Sequence, residues 1–364
     1  MVVEMLYEKN ILNAFILFSG LLLSATGLQI NAQEKTKWRF VCVPDFLNRD
    51  TEFPQPGFED GIDFFLQSIK NENPQFVIVP GDLVNGRWPD NLKPTKEAIT
   101  NNARIYYSAW KERLEYHGLK YFAAVGDHEI GDNPWPPNKV GLVPFFKEQF
   151  VKYFTFPLNG PDGFKGTSYF FLHNNVLFII LDVFTEGADS EGGIVADVKG
   201  KHLKWVNQIL RKNKDCKFKI LVGHTPIIGP AKTLNSSGIM LRKGEKSDLW
   251  ETMRRNKVNL YLCGEAHAVT CLEKDDINQI VHGSLFGWNP TLNYLLVEIT
   301  ENSLKATLKE IENIPIREGK RSMGITITDK SKKEGFKTEG TLIIEKNGKI
   351  VSKVKSGYFQ KSEK

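Results

Sequence analysis

Short unbroken apolar runs alternate with amphipathic stretches along most of the chain. Trp38–Val43 (WRFVCV), Phe76–Val79 (FVIV), Tyr121–Val125 (YFAAV), Phe218–Val222 (FKILV) and Val258–Cys263 (VNLYLC) are rich in β-branched and aromatic residues and are each closed by Pro or Gly. That is the pattern of strands buried on both faces. Between them, Phe58–Asn71 repeats Ile62, Phe65, Leu66 and Ile69 at helical spacing, and Lys201–Lys212 does the same with Leu203, Val206, Ile209 and Leu210. Thr95–His117, Pro144–Phe154 and Asp248–Asn256 read as further helices. The alternation of strand and helix predicts parallel pairing.

Two features complicate a purely parallel sheet. Ser168–Leu172 and Val176–Leu181 flank His173-Asn174-Asn175, a hairpin signal that makes the architecture mixed. Ile280–His282 and Tyr294–Ile299 continue the β-structure, and beyond about Arg317 the chain is Gly- and Lys-rich with strand pairs such as Gly340–Glu345 around Asn347-Gly348. The expected organisation is a main α/β domain over 33–315 and a small β-rich extension over 316–364. Asn133–Asn138 (NPWPPN) reads as a rigid loop, and Ile228–Lys246 as a long one.

Composition narrows the class. At 364 residues the chain is long enough for one large domain, and its formal charge of +5 is mild. Its lysines are spread out, without the basic and aromatic clustering of a nucleic-acid groove, so no nucleic-acid partner is expected. Ile11–Gly27 is apolar and uncharged, follows Lys9, and is succeeded by Ala32-Gln33. Residues 1–32 therefore read as an export signal, which places the mature protein in the periplasm or outside the cell; an uncleaved N-terminal anchor is the alternative. Cys42 and Cys263 lie inside apolar runs and no CxxC spacing occurs, so free buried thiols are expected, with an inter-strand pair left open by sequence alone.

The candidate chemistry sits where the apolar runs stop. Their ends carry Asp45, Asp82, Asp127-His128, His224, and Glu265 with His267. Functional groups of α/β sheets collect at the C-terminal ends of strands, and carboxylates converging there repel one another unless cations separate them. Two divalent ions resolve that repulsion and are a standard device for cleaving phosphate esters.

The order Asp45, Gly81-Asp82, Gly126-Asp127-His128-Glu129, Gly223-His224, Gly264-x-x-His267 resembles the calcineurin-like metallophosphoesterase family over Arg39 to about His282. The resemblance implies a two-sheet mixed β-sandwich flanked by helices and a metal-dependent phosphoesterase. It implies that Asp45 and His267 bind a first metal, that Asp82 bridges both, and that Asp127 and His224 bind the second. It gives His128 a substrate-phosphate contact and the role of general acid or transition-state stabiliser, and makes a metal-activated water the nucleophile.

Three positions depart from the family pattern. Leu47 stands where a ligating His is usual, Asp127 where Asn is usual, and Glu265 where His is usual. Asn48 or Asp50 are candidates to replace the lost ligand, and a single-metal centre is the alternative. Glu265 reads either as a ligand or as a hydrogen-bonding residue behind one. With Asp45, Asp82, Asp127 and Glu265, the chain brings four negative charges, equal to two divalent cations, where the usual set brings two. An oxygen-rich centre favours hard ions, Mn, Mg or Fe. A less positive centre favours phosphodiesters over monoester dianions. Asn85 and Arg87 are candidate phosphate contacts, and His282 is either a substrate contact or a satisfied core imidazole. Trp88 and Trp135 flank motif loops. His117, His173 and His202 read as surface histidines on helices or the hairpin. A different class stays open: a non-catalytic member that binds a phosphorylated ligand.

Overall fold

The computed structural model describes residues 37–43, 45, 57–84, 88, 94–187, 193–229, 231, 233, 236–283, 285, 289–314, 316–318, 321–345 and 350–353. In chain order these form β1 (Trp38–Cys42), α1 (Phe58–Asn71), β2 (Val77–Val79), α2 (Lys96–Tyr116), β3 (Tyr121–Ala123), α3 (Pro137–Val140), α4 (Val143–Tyr153), β4 (Tyr169–His173), β5 (Val176–Ile180), β6 (Phe184–Glu186), β7 (Ile194–Ala196), α5 (Gly200–Lys212), β8 (Phe218–Val222), α6 (Asp248–Arg255), β9 (Leu260–Cys263), β10 (Thr270–Lys274), β11 (Ile277–Val281), β12 (Thr291–Ile299), β13 (Ser303–Glu312), β14 (Ile316–Glu318), β15 (Arg321–Gly324), α7 (Asp329–Glu334), β16 (Lys337–Glu345) and β17 (Ile350–Lys353). Residues 1–32, and with them the export signal, lie outside the described residues, as do Asn347 and Gly348.

Two mixed sheets carry the architecture, as the resemblance implied. The first runs β17-β16-β13-β12-β1-β2-β3, and the second β10-β11-β9-β8-β5-β4. The apolar runs pair in parallel: Cys42 with Ile78, Val79 with Ala123, Ile180 with Val222 and Val222 with Leu262. Parallel register places the ends of β1, β2 and β3 at one rim of the first sheet, and the ends of β8 and β9 at one rim of the second. The hairpin β4–β5 pairs antiparallel around Asn174 and Asn175. Both asparagines hold a positive φ, which Asn tolerates better than most residues.

The sheets pack through aromatic side chains. Phe40 and Phe76 from the first meet Phe178 of the second at 5.3 and 5.5 Å between ring centroids, and Phe122 stacks on Phe171 at 4.0 Å. Offset and edge-on ring pairs add to the area they bury. Tyr169 of β4 reaches across to β3, where its hydroxyl accepts from the Ala123 N–H (3.0 Å) and donates to the Ala123 carbonyl (2.9 Å). Helix α1 buries Phe58, Ile62, Phe65, Leu66 and Ile69, the face its periodicity predicts. Helix α2 is capped by the Thr95 hydroxyl on Ala98 N–H, and α6 by Ser247 on Trp250 N–H.

After residue 315, β14 and β15 pair with each other, and β16 and β17 extend the first sheet: β16 pairs antiparallel with β13, Leu304 opposite Ile344, and Phe336 packs on Phe65 and Tyr294. The proline run is not wholly loop. Pro137 begins α3, where a proline lacks nothing because the first N–H groups of a helix have no internal partner. His202 and His117 are buried rather than superficial. His202 falls on the inward face of α5 with Val206 and Ile209, its ring stacked on Phe164 at 4.2 Å, and His117 pairs with Asp63 at 3.1 Å. All four cysteines are free thiols, with Cys42, Cys263 and Cys271 buried. Among the described residues no helix is long and apolar enough to cross a membrane.

Candidate metal centre

Two of the strand ends deliver their side chains through left-handed turns. Asp82, Glu265 and His267 all hold left-handed backbone, with φ of 48°, 64° and 58°. Such conformations cost of order 1–3 kcal/mol in non-glycine residues and cluster at functional sites. The turn at Asp82 is held by Glu129, the residue of the Gly126-Asp127-His128-Glu129 motif to which sequence assigns no role. Glu129 is fully buried, and its carboxylate accepts from Asp82 N–H (2.8 Å), Leu83 N–H (3.0 Å) and Gly126 N–H (2.8 Å). It clamps two strand ends together. Gly126 is there because nothing larger fits: a Cβ would lie 2.1 Å from Asp82 Oδ1 and 2.3 Å from Asp82 N.

The predicted ligands converge in two groups that share Asp82. Asp82, Asp127, His224 and Glu265 each offer an atom within 4.8 Å of the others, and Asp45, Asp82 and His267 do the same. His224 Nε2 stands 3.1 Å from Asp127 Oδ1, 3.3 Å from Glu265 Oε2 and 3.4 Å from Asp82 Oδ2. Its other nitrogen, Nδ1, lies 3.1 Å from the Pro80 carbonyl, a partner that only an N–H can use, so Nδ1 is the donor on that side and Nε2 is the nitrogen turned to the carboxylates. Asp45 is fully buried; its Oδ2 accepts from Glu265 N–H at 2.9 Å, while Oδ1 has no partner among the described residues. An orphaned buried carboxylate oxygen costs several times the value of a hydrogen bond unless something cationic meets it.

Charge tells the same story. Burial, together with the nearby Asp82 and Glu265 carboxylates, pushes Asp45 well above the usual carboxylate range. Burial and the Asp127 charge push Asp82 up to about 6. Burial and Asp82 push Glu129 up to about 8. Burial acts upward on Asp127 and Glu265 too, yet hydrogen bonds to His224 hold both below their ordinary values. Among the described residues the site's histidines do not balance this many buried carboxylates, and divalent ions fit both groups of donors.

His128 stands beside the shared carboxylate. Its backbone N–H donates to Asp82 Oδ1 (3.1 Å), and its Nε2 lies 3.9 Å from both Asp82 Oδ2 and Asp132 Oδ1. Burial opposes its charge, but the Asp82, Asp132 and Asp127 carboxylates outweigh burial and raise it to about 9. The Trp88 indole N–H donates to the His128 carbonyl, so this tryptophan secures the motif as well as packing on Phe146. His282 is fully buried; among the described residues neither ring nitrogen has a partner, and burial pushes it down to about 3. It lies outside the two ligand groups. Leu47, Asn48, Asp50, Asn85 and Arg87 lie outside the described residues.

Sequence reasoning missed Asn133, Ser236 and Ser237. Asn133 Nδ2 donates to Asp127 Oδ2 (2.9 Å) and to Ser237 Oγ (3.1 Å). Glu265 Oε1 accepts from Ser236 Oγ (3.0 Å), Ser237 Oγ (2.7 Å) and Ile239 N–H (3.0 Å). Nothing in the loop's composition singles these serines out; the one available signal was the pair of extra carboxylates, each of which needs donors.

The calcineurin-like phosphoesterase family model matches residues 39–269, which includes every residue of both groups. The chain belongs to the calcineurin-like phosphoesterase family. It is thus a metal-dependent phosphoesterase. Among solved structures, this phosphoesterase is similar to a dimetal phosphatase from Danio rerio, at 12% identity and a TM-score of 0.51, covering 75% of this chain and 95% of that one. It is also similar to the purple acid phosphatase PPD1 from yellow lupin (Lupinus luteus) seeds, at 12% identity and a TM-score of 0.49, covering 77% of this chain and 52% of that one. At such identities the first likeness is one of fold. No curated protein matches the chain.

Proposed function

We propose that this phosphoesterase hydrolyses a phosphodiester at a dinuclear centre of hard divalent ions. The observation that carries the reading is Asp82, shared by the two ligand groups. Asp127, His224 and Glu265 would hold one ion with it, and Asp45 and His267 the other. Divalent ions there supply Lewis acidity toward a phosphoryl oxygen and lower the pKa of water.

The chain's residues then divide the work. Asp82 Oδ1 fixes the His128 backbone, and the Asp82 and Asp132 carboxylates beside the imidazole favour its protonated form. His128 is thereby ready to give its Nε2 proton to the leaving oxygen. The four carboxylates cancel the charge of two divalent ions. At an effective dielectric of about 20, a unit charge pair 4 Å apart is worth about 4 kcal/mol, so a dianion loses about twice as much attraction as a monoanion. That asymmetry supports the diester. The apolar run and Ala32-Gln33 junction support export, and a mature N-terminus at Gln33 would test it.

The deciding experiment combines elemental analysis with turnover of a diester and a monoester that share an alkyl leaving group. We expect two Mn, Mg or Fe ions per chain, faster diester turnover, and a loss of about 10²- to 10⁴-fold in His128→Ala. Bound zinc with equal or better monoester turnover would sink the diester reading. Fewer than about one metal per chain and no turnover, unchanged by His128→Ala, would favour a binder of phosphorylated ligands.

A further inference from the structure

The two carboxylates that depart from the family pattern are built alike. In each, one oxygen is tied to neutral donors and the other faces His224 Nε2. Asp127 Oδ2 takes the Asn133 amide while Oδ1 stands 3.1 Å from His224. Glu265 Oε1 takes both serine hydroxyls and the Ile239 N–H while Oε2 stands 3.3 Å from His224. The two arrangements are joined, because Asn133 Nδ2 also donates to Ser237 Oγ. The direction of the chain is fixed: the amide donates to the hydroxyl, and the hydroxyl donates to the carboxylate. Hydrogen bonds in series polarise one another, and those ending on a carboxylate are roughly twice as strong as neutral ones.

Resting on the proposed dinuclear centre, we infer that Ser236, Ser237 and Asn133 are positioning residues that make Glu265 and Asp127 one-oxygen ligands and set the preference of the second subsite for a hard ion. A carboxylate with one oxygen saturated presents a single directed donor. Without the serines, Glu265 keeps only the Ile239 N–H on Oε1 and is less firmly oriented. The serines come from the loop between β8 and α6, and the asparagine from the loop after β3. The same β8–α6 loop also bridges to the first group, where Thr233 pairs with His267. The preference is thus held by two loops that reach the ligands from outside the strands.

The test is calorimetric titration of the metal-free full-length protein with Mn²⁺ and, separately, Zn²⁺. In Ser236→Ala/Ser237→Ala we expect one Mn²⁺ site to weaken by about tenfold or more, with the other unchanged and Zn²⁺ affected less. Ser236→Thr/Ser237→Thr should restore most of the loss. In a Glu265→Ala background the serine substitutions should lose most of their effect, leaving only what Ser237 contributes through Asn133. Two Mn²⁺ sites retained within about twofold in the double alanine variant would overturn the inference and leave the dinuclear centre standing. So would equal weakening of both sites together with a lowered unfolding midpoint. A wild-type protein that takes up no Mn²⁺ would overturn both.

Discussion

Gly126→Ala concentrates the logic of the centre in one methyl group. The added Cβ would sit 2.1 Å from Asp82 Oδ1 and 2.3 Å from Asp82 N, and the second of these is backbone. That nitrogen cannot yield easily, because Glu129 holds it at 2.8 Å and holds Gly126 N at the same distance. Relief requires a shift of about 1 Å in one strand end or the other, and small-to-large changes of this kind cost about 1–3 kcal/mol. The functional effect should be larger. Asp82 belongs to both ligand groups, and misplacement by about 1 Å can cost about 10²-fold in rate. Gly141→Ala is the internal control: its Cβ meets nothing within 4 Å, and its φ of −63° suits any residue. There the lost unfolded-state freedom should stabilise by about 0.4–1 kcal/mol. Denaturant midpoints and metal content of both variants make the comparison. A Gly126→Ala protein with two metals and a wild-type midpoint would refute the packing argument.

Two further outcomes follow from groups outside the centre. Lys147 reaches Asp182 at 2.7 Å, where Asp182 is fully buried, so Lys147→Met strands a buried carboxylate; a loss of about 3–5 kcal/mol in chemical denaturation is expected, and a loss below about 1 kcal/mol would contradict it. Burial pushes His202 down from 6.5 to about 4, so the unfolded chain takes the proton first. Stability is intact above pH 6.5 and falls toward pH 4, by about 3 kcal/mol in all, and His202→Phe should flatten that decline in a pH series of unfolding midpoints.

What the sequence discloses here is set by where its physical signals are strong. An apolar run closed by Pro or Gly and then an acid or imidazole is costly unless used, which made Asp45, Asp82, Asp127, His224, Glu265 and His267 legible as candidates from sequence. Parallel register supplied the rest of their convergence. Helices with one-sided apolar spacing, such as Phe58–Asn71, were legible to the residue. Strands β10 and β13 were not singled out, because half-exposed antiparallel strands mix Lys, Glu and Thr with their apolar positions. Glu129 was seen but not understood: three backbone donors from two strands meet it, and backbone geometry leaves no mark on side-chain pattern. Ser236 and Ser237 were invisible for a related reason, since a loop serine carries the same letter whether it faces water or a buried carboxylate.

Tyr169 has a consequence beyond joining the two sheets. Strand β3 is the edge of the first sheet, and the outward-facing N–H and carbonyl of Ala123 are what an approaching strand from another molecule would pair with. The Tyr169 hydroxyl satisfies both at once. Ala123 and Tyr169 are both fully buried, so one phenol closes this point of the sheet edge from within and leaves an approaching chain neither of those groups to pair with.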